Sequence, residues 1–253
     1  MNIFKRLAQF LIIYSFGLGM LWSAKFFYHL SDYLIPSPSE VFTTVTEQYS
    51  IFATSALNTL MVSVAGHGLS VVLATIVALI GRSRSWIGNL TRMAAYNLQS
   101  YPVVAVAPII FLFLGDGLSS RLLIASLICY FPLLLNFIGI FSGPVDEIEH
   151  FYRITGRMNW RTELAIRSFE NLDKITTVMV GSGTMAMVGT IVAEFLAATD
   201  GIGYVIRKAL YQSSLSKILI SLFFIGLFSS IYLSIIEIGG TYLKRSLTEK
   251  SRS

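Results

Sequence analysis

The chain has 253 residues, of which 54% are hydrophobic and 13% charged, about half the charged share of an ordinary soluble domain. That balance excludes a disordered chain, a coiled coil and a water-soluble globule, and it describes a polytopic, all-α membrane protein. The net charge of +5 reflects 19 Lys and Arg against 14 Asp and Glu; the basic residues lie between long apolar runs, as topology signals do, not as a nucleic-acid face.

A helix needs about 20 apolar residues to cross a bilayer core, because each residue rises only about 1.5 Å. Six stretches free of Asp, Glu, Lys and Arg meet or nearly meet that length: 7–24, 48–81, 93–115, 122–145, 175–193 and 218–236. They predict spans at 8–28, 55–80, 93–114, 122–142, 175–197 and 217–239, in one transmembrane domain covering 1–253. The first run follows Lys5 and Arg6. It lacks a clear small-residue cleavage site and is long for a signal peptide, so it reads as a retained helix. Next, 31–50 contains Pro36 and Pro38 and reads as an external turn, then a short amphipathic helix with Val41, Phe42 and Val45 on one face. The second run exceeds one span, so part of it tilts or lies along the surface.

Pro102 and Pro108 fall in the third predicted span and Pro132 in the fourth. Each removes a backbone donor and kinks its helix, and the freed carbonyls need protein or a wet cavity beside them. Pro102, Pro108 and Asn136 therefore mark a candidate translocation pathway. His67 and Asn136 also suit interhelical hydrogen bonds. Cys129, the single cysteine, lies in an apolar run and reads as a small buried hydrophobe.

The largest polar insertion, 143–174, holds eleven charged residues. Ile148, Phe151, Tyr152, Ile154, Met158, Leu164 and Ile166 give it an irregular helical stripe, which Gly156 should divide into two short helices. A solvated linker is one reading. Phe151, Tyr152 and Trp160 favour another, because bulky apolar groups in a polar loop need a covering surface: the loop docks a cytoplasmic protein.

In the fifth run Ser182, Ala186, Gly189 and Ala193 form a small-residue stripe suited to close helix packing. Gly181-Ser182-Gly183-Thr184 has no following lysine and is not a phosphate loop. Glu194 and Glu237 end the fifth and sixth runs. An acid at membrane depth is a functional candidate. Glu194 reads either as pathway lining or gate, or as a group solvated at the outer interface; Glu237 reads as reaching inner headgroup water. Gly201 and Gly203 allow a tight turn, after which a re-entrant segment at the outer mouth and a surface helix fit equally well. With the N-terminus inside, only Lys25, Arg121, Arg207, Lys208 and Lys217 fall outside. The other 14, Arg84 and Arg252 among them, fall inside, which predicts that both termini are cytoplasmic.

Nothing in the chain forms a nucleotide, metallohydrolase or serine-hydrolase motif, and His29, His67 and His150 fall in separate segments. The expectation is no catalytic residue, no metal and no enzyme.

Several pieces, in order over about 35–240, carry a family resemblance. Ile35-Pro36-Ser37-Pro38-Ser39-Glu40-Val41 resembles an L-P-S-P-x-E-V opening, and Tyr101-Pro102 with Ala105, Ala107 and Pro108 resembles I-P-x-x-A-x-x-P. Leu114-Gly115-Asp116-Gly117-Leu118-Ser119 resembles F-G-x-G-x-x-S, and Phe131-Pro132, Asn136 and Val145-Asp146 resemble F-F-P…N…V-D. Ala193-Glu194-Phe195 with Gly201-Ile202-Gly203-Tyr204 resembles A-E-M…G-L-G-Y. These resemble the permease subunits of bacterial ABC importers, in the nitrate/sulfonate/taurine/bicarbonate-type branch. That family's docking pattern is E-A-A-x3-G-x9-I-x-L-P. Here Gly156 and Ile166 hold the Gly and Ile places, while His150, Phe151 and Tyr152 stand where Glu-Ala-Ala would be.

The resemblance implies a six-helix type I importer transmembrane fold with a cytoplasmic coupling-helix loop, in a bacterial inner membrane. It implies ATP-driven alternating access, with ATP and Mg on partner ATPase subunits and no cofactor on this chain. Further implied partners are an extracytoplasmic substrate-binding protein and a second permease, either a copy or a paralogue. His150, Phe151, Tyr152, Gly156, Trp160 and Ile166 are then the coupling residues; Pro102, Pro108, Asn136, Glu194, Gly201 and Gly203 line or gate the pathway. The substrate stays open among nitrate, sulfonates, bicarbonate and pyrimidine- or riboflavin-like vitamins. Rival readings are a proton-coupled carrier relaying through Glu194 or Glu237, and a membrane scaffold without transport.

Overall fold

The computed structural model describes residues 3–83 and 85–250; Arg84 and Arg252, counted above as inside charges, lie outside the described residues. Ten helices and no strand occur among them. Helix α1 (Ile3–Tyr28) leads through the Pro36 turn into α2 (Pro38–Gly81). Ser37 starts α2 by accepting the Glu40 amide, with Pro38 in the first turn, where its missing N–H costs nothing. At Gln48 the backbone leaves helical values (φ −121°, ψ 16°), so the short helix expected before the second run meets the span there, while the over-long run itself continues as helix to Gly81. Val41 and Val45 of that short helix pack into a core with Phe52, Ile202 and Phe224. Phe42, expected to share their face, is instead 71% exposed. The helical turn carries it off the buried stripe.

The third predicted span is not one helix. It is α3 (Trp86–Gln99) and α4 (Val103–Leu114), bent by 90° at their junction. Pro102 has no amide for the ladder, and a residue preceding proline, here Tyr101, is pushed out of the helical region. The result is a break, where the sequence reading expected a kink. Pro108 lies within α4 and Pro132 within α5 (Leu118–Ser142). Helices α6 (Asp146–Ile154) and α7 (Trp160–Glu170) follow, then α8 (Leu172–Leu196), α9 (Ile202–Tyr211) and α10 (Leu215–Lys250). Among the described residues five helices are long and apolar enough to cross a membrane, and the bent α3–α4 pair makes a sixth span if counted as one.

The core is the packing of α2, α5 and α8 against one another, with α10 against α2 and α8. Lipid offers no hydrophobic drive for this, so close backbone approach must supply the contact. A Cβ on Gly66 would stand 2.9 Å from Ala125 Cβ, and one on Gly189 3.0 Å from Ala125 Cα. The stripe Ser182, Ala186, Gly189 and Ala193 is buried throughout. Helix α1 lies against α10, with Phe10 over Gly226 and the Tyr14 hydroxyl donating to Leu219 O at 2.9 Å.

Candidate functional site

At one end of the bundle, α6 and α7 form a hairpin. Gly156, at φ +68°, supplies the left-handed turn that ends α6, and a Cβ there would meet no other atom within 4 Å. Asn159 caps α7 by accepting the amides of Arg161 and Thr162 at 3.0 and 2.9 Å. Glu149 is 1% exposed. Its carboxylate accepts the Val145 amide at 3.1 Å, fastening the start of α6. Arg167 of α7 grips the same carboxylate with two bonds, Nε to Oε1 at 2.7 Å and Nη2 to Oε2 at 3.1 Å. Arg167 Nη1 donates to Phe141 O at 2.8 Å, one of the carbonyls left unpaired at the end of α5. Glu163 takes Arg167 Nη2 at 2.7 Å and faces Arg82, after α2, at 3.7 Å. One ionic cluster thus fixes both hairpin helices to the ends of α5 and α2. The Arg167 hydrogen bond holds the Glu149 carboxyl below the usual carboxylate range against the opposing effect of burial, and Glu149 in turn raises the Arg167 pKa.

The hairpin's other face is bare. Phe151, Ile154 and Trp160 are 62%, 72% and 59% exposed, and His150 is exposed too. Tyr152 and Ile166 are half-buried. Of the six residues chosen from the sequence, three side chains point away from the bundle, two pack partly against it, and Gly156 makes the turn between them. The Glu149–Arg167 pair that holds this geometry was not singled out.

At the far end of α8, Glu194 is 0% exposed. Thr59 of α2 donates its hydroxyl to Glu194 Oε2 at 2.7 Å, and the Gly203 amide donates to the same oxygen at 3.0 Å. The Ile202 amide bonds to Thr59 Oγ1 at 2.9 Å. The carboxylate therefore occupies the N-terminus of α9, where unpaired amides and the helix dipole favour an anion. Arg121 of α5, 8% exposed, reaches Glu194 Oε1 and Asp200 O, both at 3.5 Å. Asn58 bonds to the Asp200 carboxylate. Gly201 sits at φ +94°, and a Cβ there would fall 2.1 Å from the Glu194 carboxylate; one on Gly203 would fall 2.4 Å from Ile191 O. The glycines allow this close seating. The sequence reading offers Glu194 as a pathway or gate residue or a group solvated at the outer interface, and Gly201 and Gly203 as a turn into a re-entrant or surface segment. The structure brings them together but buries them inside the chain, as a clamp on α9. Arg121, expected among the outside loop charges, belongs to the same clamp.

Between the two ends, His67 joins three helices: Nδ1 to Tyr232 OH at 2.6 Å on α10 and Nε2 to Ser182 Oγ at 2.8 Å on α8. Asn136 behaves differently from the interhelical expectation. It donates to Pro132 O in its own helix at 2.7 Å and lines a groove of about 620 Å³ with Tyr96, Gly139, Gly143, Glu170 and Lys174. Pro102 and Pro108 are exposed on the α4 side. The residues that the sequence reading assigns to a pathway thus fall in three separate places. Glu237, expected in headgroup water, pairs with Arg6 of α1 at 3.1 Å. Cys129 is buried.

Apolar helices packed through small residues, a broken span and a braced polar hairpin define a helical membrane permease subunit. Residues 70–249, more than half the chain, match the family described as binding-protein-dependent transport system inner membrane component, and the chain belongs to that family. The Ile35–Val41 opening lies before the matched range. The chain is 31% identical over 188 residues to the formylaminopyrimidine transport permease protein ThiX of Halalkalibacterium halodurans, covering 71% of this chain and 72% of the relative. It is 38% identical over 115 residues to the riboflavin transport system permease protein RibX of Chloroflexus aurantiacus, covering 44% and 41%. To the putative aliphatic sulfonates transport permease protein SsuC of Bacillus subtilis it is 22% identical over 156 residues, covering 60% and 54%. The protein is the membrane permease subunit of an ABC importer, and its family comprises multi-pass inner-membrane transport permeases, not enzymes. Such permeases work with ATPase and substrate-binding partners in general. The proton-carrier and scaffold readings give way to this one.

Proposed function

We propose that this permease imports a planar nitrogen heterocycle of the pyrimidine or flavin kind, delivered by an external binding protein. The support is relatedness: the two relatives above 30% identity carry formylaminopyrimidine and riboflavin in their names, and the sulfonate relative stands at 22%. A binding protein co-purified with the complex tests the reading. Mass spectrometry of its ligand should return a pyrimidine or flavin; a sulfonate or inorganic anion refutes it.

The drive comes from ATPase subunits gripping the α6–α7 hairpin from the cytoplasm, with ATP and Mg held by those subunits and both termini of this chain on the same side. One observation carries this: a hairpin whose bare face shows Phe151, Ile154 and Trp160 is braced to the bundle by a buried ion pair. A force applied at the tip therefore reaches α5 and α2 with little slack. A second permease, a copy or a paralogue, completes the passage, with Pro102, Pro108 and Asn136 along it. Glu194, Gly201 and Gly203 hold α9 in place beside its outer mouth. His150, Phe151 and Tyr152 replace the Glu-Ala-Ala of the usual docking helix, with aromatic rings where the pattern has two alanines, and favour a paralogue. A purified complex with one permease species in two copies would refute the paralogue.

A further inference from the structure

Four guanidiniums meet where α2, α5 and the hairpin join. Arg82 follows α2, Arg92 lies on α3, Arg153 on α6 and Arg167 on α7, and together with Ser142 and Glu163 they line a cavity of about 410 Å³. Two carboxylates serve the group. Arg167 and Arg153 share Glu149, while Arg167 and Arg82 share Glu163. Two positive charges are left over. Arg92 bonds only neutral acceptors among the described residues, Ser83 O at 3.4 Å and Asn89 Oδ1. Ser142 Oγ is enclosed with no hydrogen-bond partner among them. The hairpin's internal bracing occupies all three nitrogens of Arg167, but it leaves donors of Arg82, Arg92 and Arg153 and the Ser142 hydroxyl at the cavity wall.

Guanidiniums converging at close range repel one another unless an anion with several acceptor oxygens lies between them. Planar guanidinium forks match phosphate oxygens two at a time. Basic pockets between membrane helices at headgroup level bind phosphate-bearing lipids, and this one sits where α2 ends and α3 begins. We propose that the cavity binds a phosphate group, carried either by an anionic phospholipid headgroup or by a soluble phosphate. An occupant would bridge the α2–α3 turn to the coupling hairpin, stiffening the part of the molecule that the ATPase moves.

The test uses the full chain, purified with its ATPase, in nanodiscs of zwitterionic lipid. Thermal unfolding is followed after adding excess inorganic phosphate, and separately in nanodiscs containing phosphatidylglycerol. One of the two additions should raise the unfolding temperature of the unmodified protein. A response to the lipid alone identifies a headgroup site, and a response to free phosphate identifies a soluble-anion site. Arg82→Gln with Arg92→Gln should weaken the response about tenfold or more, as the loss of charge-assisted bonds requires. Arg92→Gln alone should weaken it in the same direction, and it breaks no ion pair among the described residues. Lys208→Gln, at the other end of the bundle, should leave it intact. The proposal fails if neither anion stabilises the unmodified protein, or if the arginine variants respond as it does. It also fails if Lys208→Gln loses as much, or if Arg92→Gln detaches the ATPase while the anion response stays unchanged.

Discussion

Each end of the bundle buries one carboxylate, and the two are held in opposite ways. Glu149 is held by a cation, the two-pronged Arg167 at 2.7 and 3.1 Å. Glu194 is held by a hydroxyl and an amide at 2.7 and 3.0 Å, with its nearest guanidinium out at 3.5 Å. The first is an ionic brace, strong only while both charges stay. The second is a dipolar clamp that needs an acceptor oxygen in the right place more than it needs a full charge. The ionic brace holds the hairpin that we propose the ATPase grips, and the dipolar clamp fixes a helix end.

The largest expected effect comes from breaking the brace on one side. Arg167→Ala leaves buried Glu149 with only the exposed Arg153, at 3.1 Å, in place of its two-pronged buried partner, which costs about 3 kcal/mol, the lower end for a broken buried pair. Thermal unfolding should fall steeply and ATPase stimulation should vanish. The paired change Glu149→Met with Arg167→Met removes both buried charges together and should cost less than either single change. If the double variant is the least stable of the three, the pair is not the ionic brace described here.

Next in size is the clamp. Gly201→Ala puts a methyl group at φ +94° and 2.1 Å from the Glu194 carboxylate, a strain of about 1–3 kcal/mol before the clash is counted. Proteolysis near α9 should accelerate. The sharpest comparison is between two glutamines. Glu149→Gln removes a charged partner from Arg167 and should cost about 2–3 kcal/mol, whereas Glu194→Gln keeps an acceptor for Gly203 and Thr59 and should cost about 1 kcal/mol or less. Equal losses in unfolding measurements would erase the distinction between the two ends.

How much of this was legible beforehand follows from distance along the chain. The apolar runs, the Gly156 division and the small-residue stripe are local patterns, and the structure follows them. The break at Tyr101–Pro102 was visible as a proline but not as a right-angle turn, because the bend depends on what α3 and α4 pack against. The carboxylates' partners were beyond reach. Glu149 and Arg167 lie 18 residues apart in a loop full of charges, and Thr59 lies 135 residues before Glu194. A buried ion pair has the same letters as a solvated one, and Thr59 is one unremarkable threonine in an apolar run. Glu194 could be seen as an unusual acid, but the direction it faced could not.

A smaller effect separates the brace from the bulk of the fold by pH. Arg167 depresses the folded Glu149 pKa below its unfolded value, so the stabilisation is fully present above the ordinary carboxylate pKa. It is lost only as pH falls through the depressed folded value. Proteolysis of the hairpin should therefore stay constant from neutral pH down to about 5, above the ordinary carboxylate pKa of about 4.3, and rise below that range. In Glu149→Gln the rate should be higher at neutral pH and flatter with acid. A hairpin that loosens near pH 6 in the unmodified protein would contradict the assigned direction.

The least effect on folding, and the most telling one for function, comes from the bare face. Phe151→Ala and Trp160→Ala remove exposed side chains at 62% and 59%, so little burial is lost and unfolding should shift within about 0.5 kcal/mol of the unmodified chain. An aromatic anchor at a partner surface is a common site of concentrated binding energy, about 2 kcal/mol or more when truncated. The double variant should therefore fold, insert and keep its brace, yet release the ATPase on washing and lose stimulated hydrolysis. Full stimulation in that variant would place the grip elsewhere on the hairpin. Loss of folding instead would mean that the exposed aromatics support the bundle itself, which their position beyond Glu149 and Arg167 argues against.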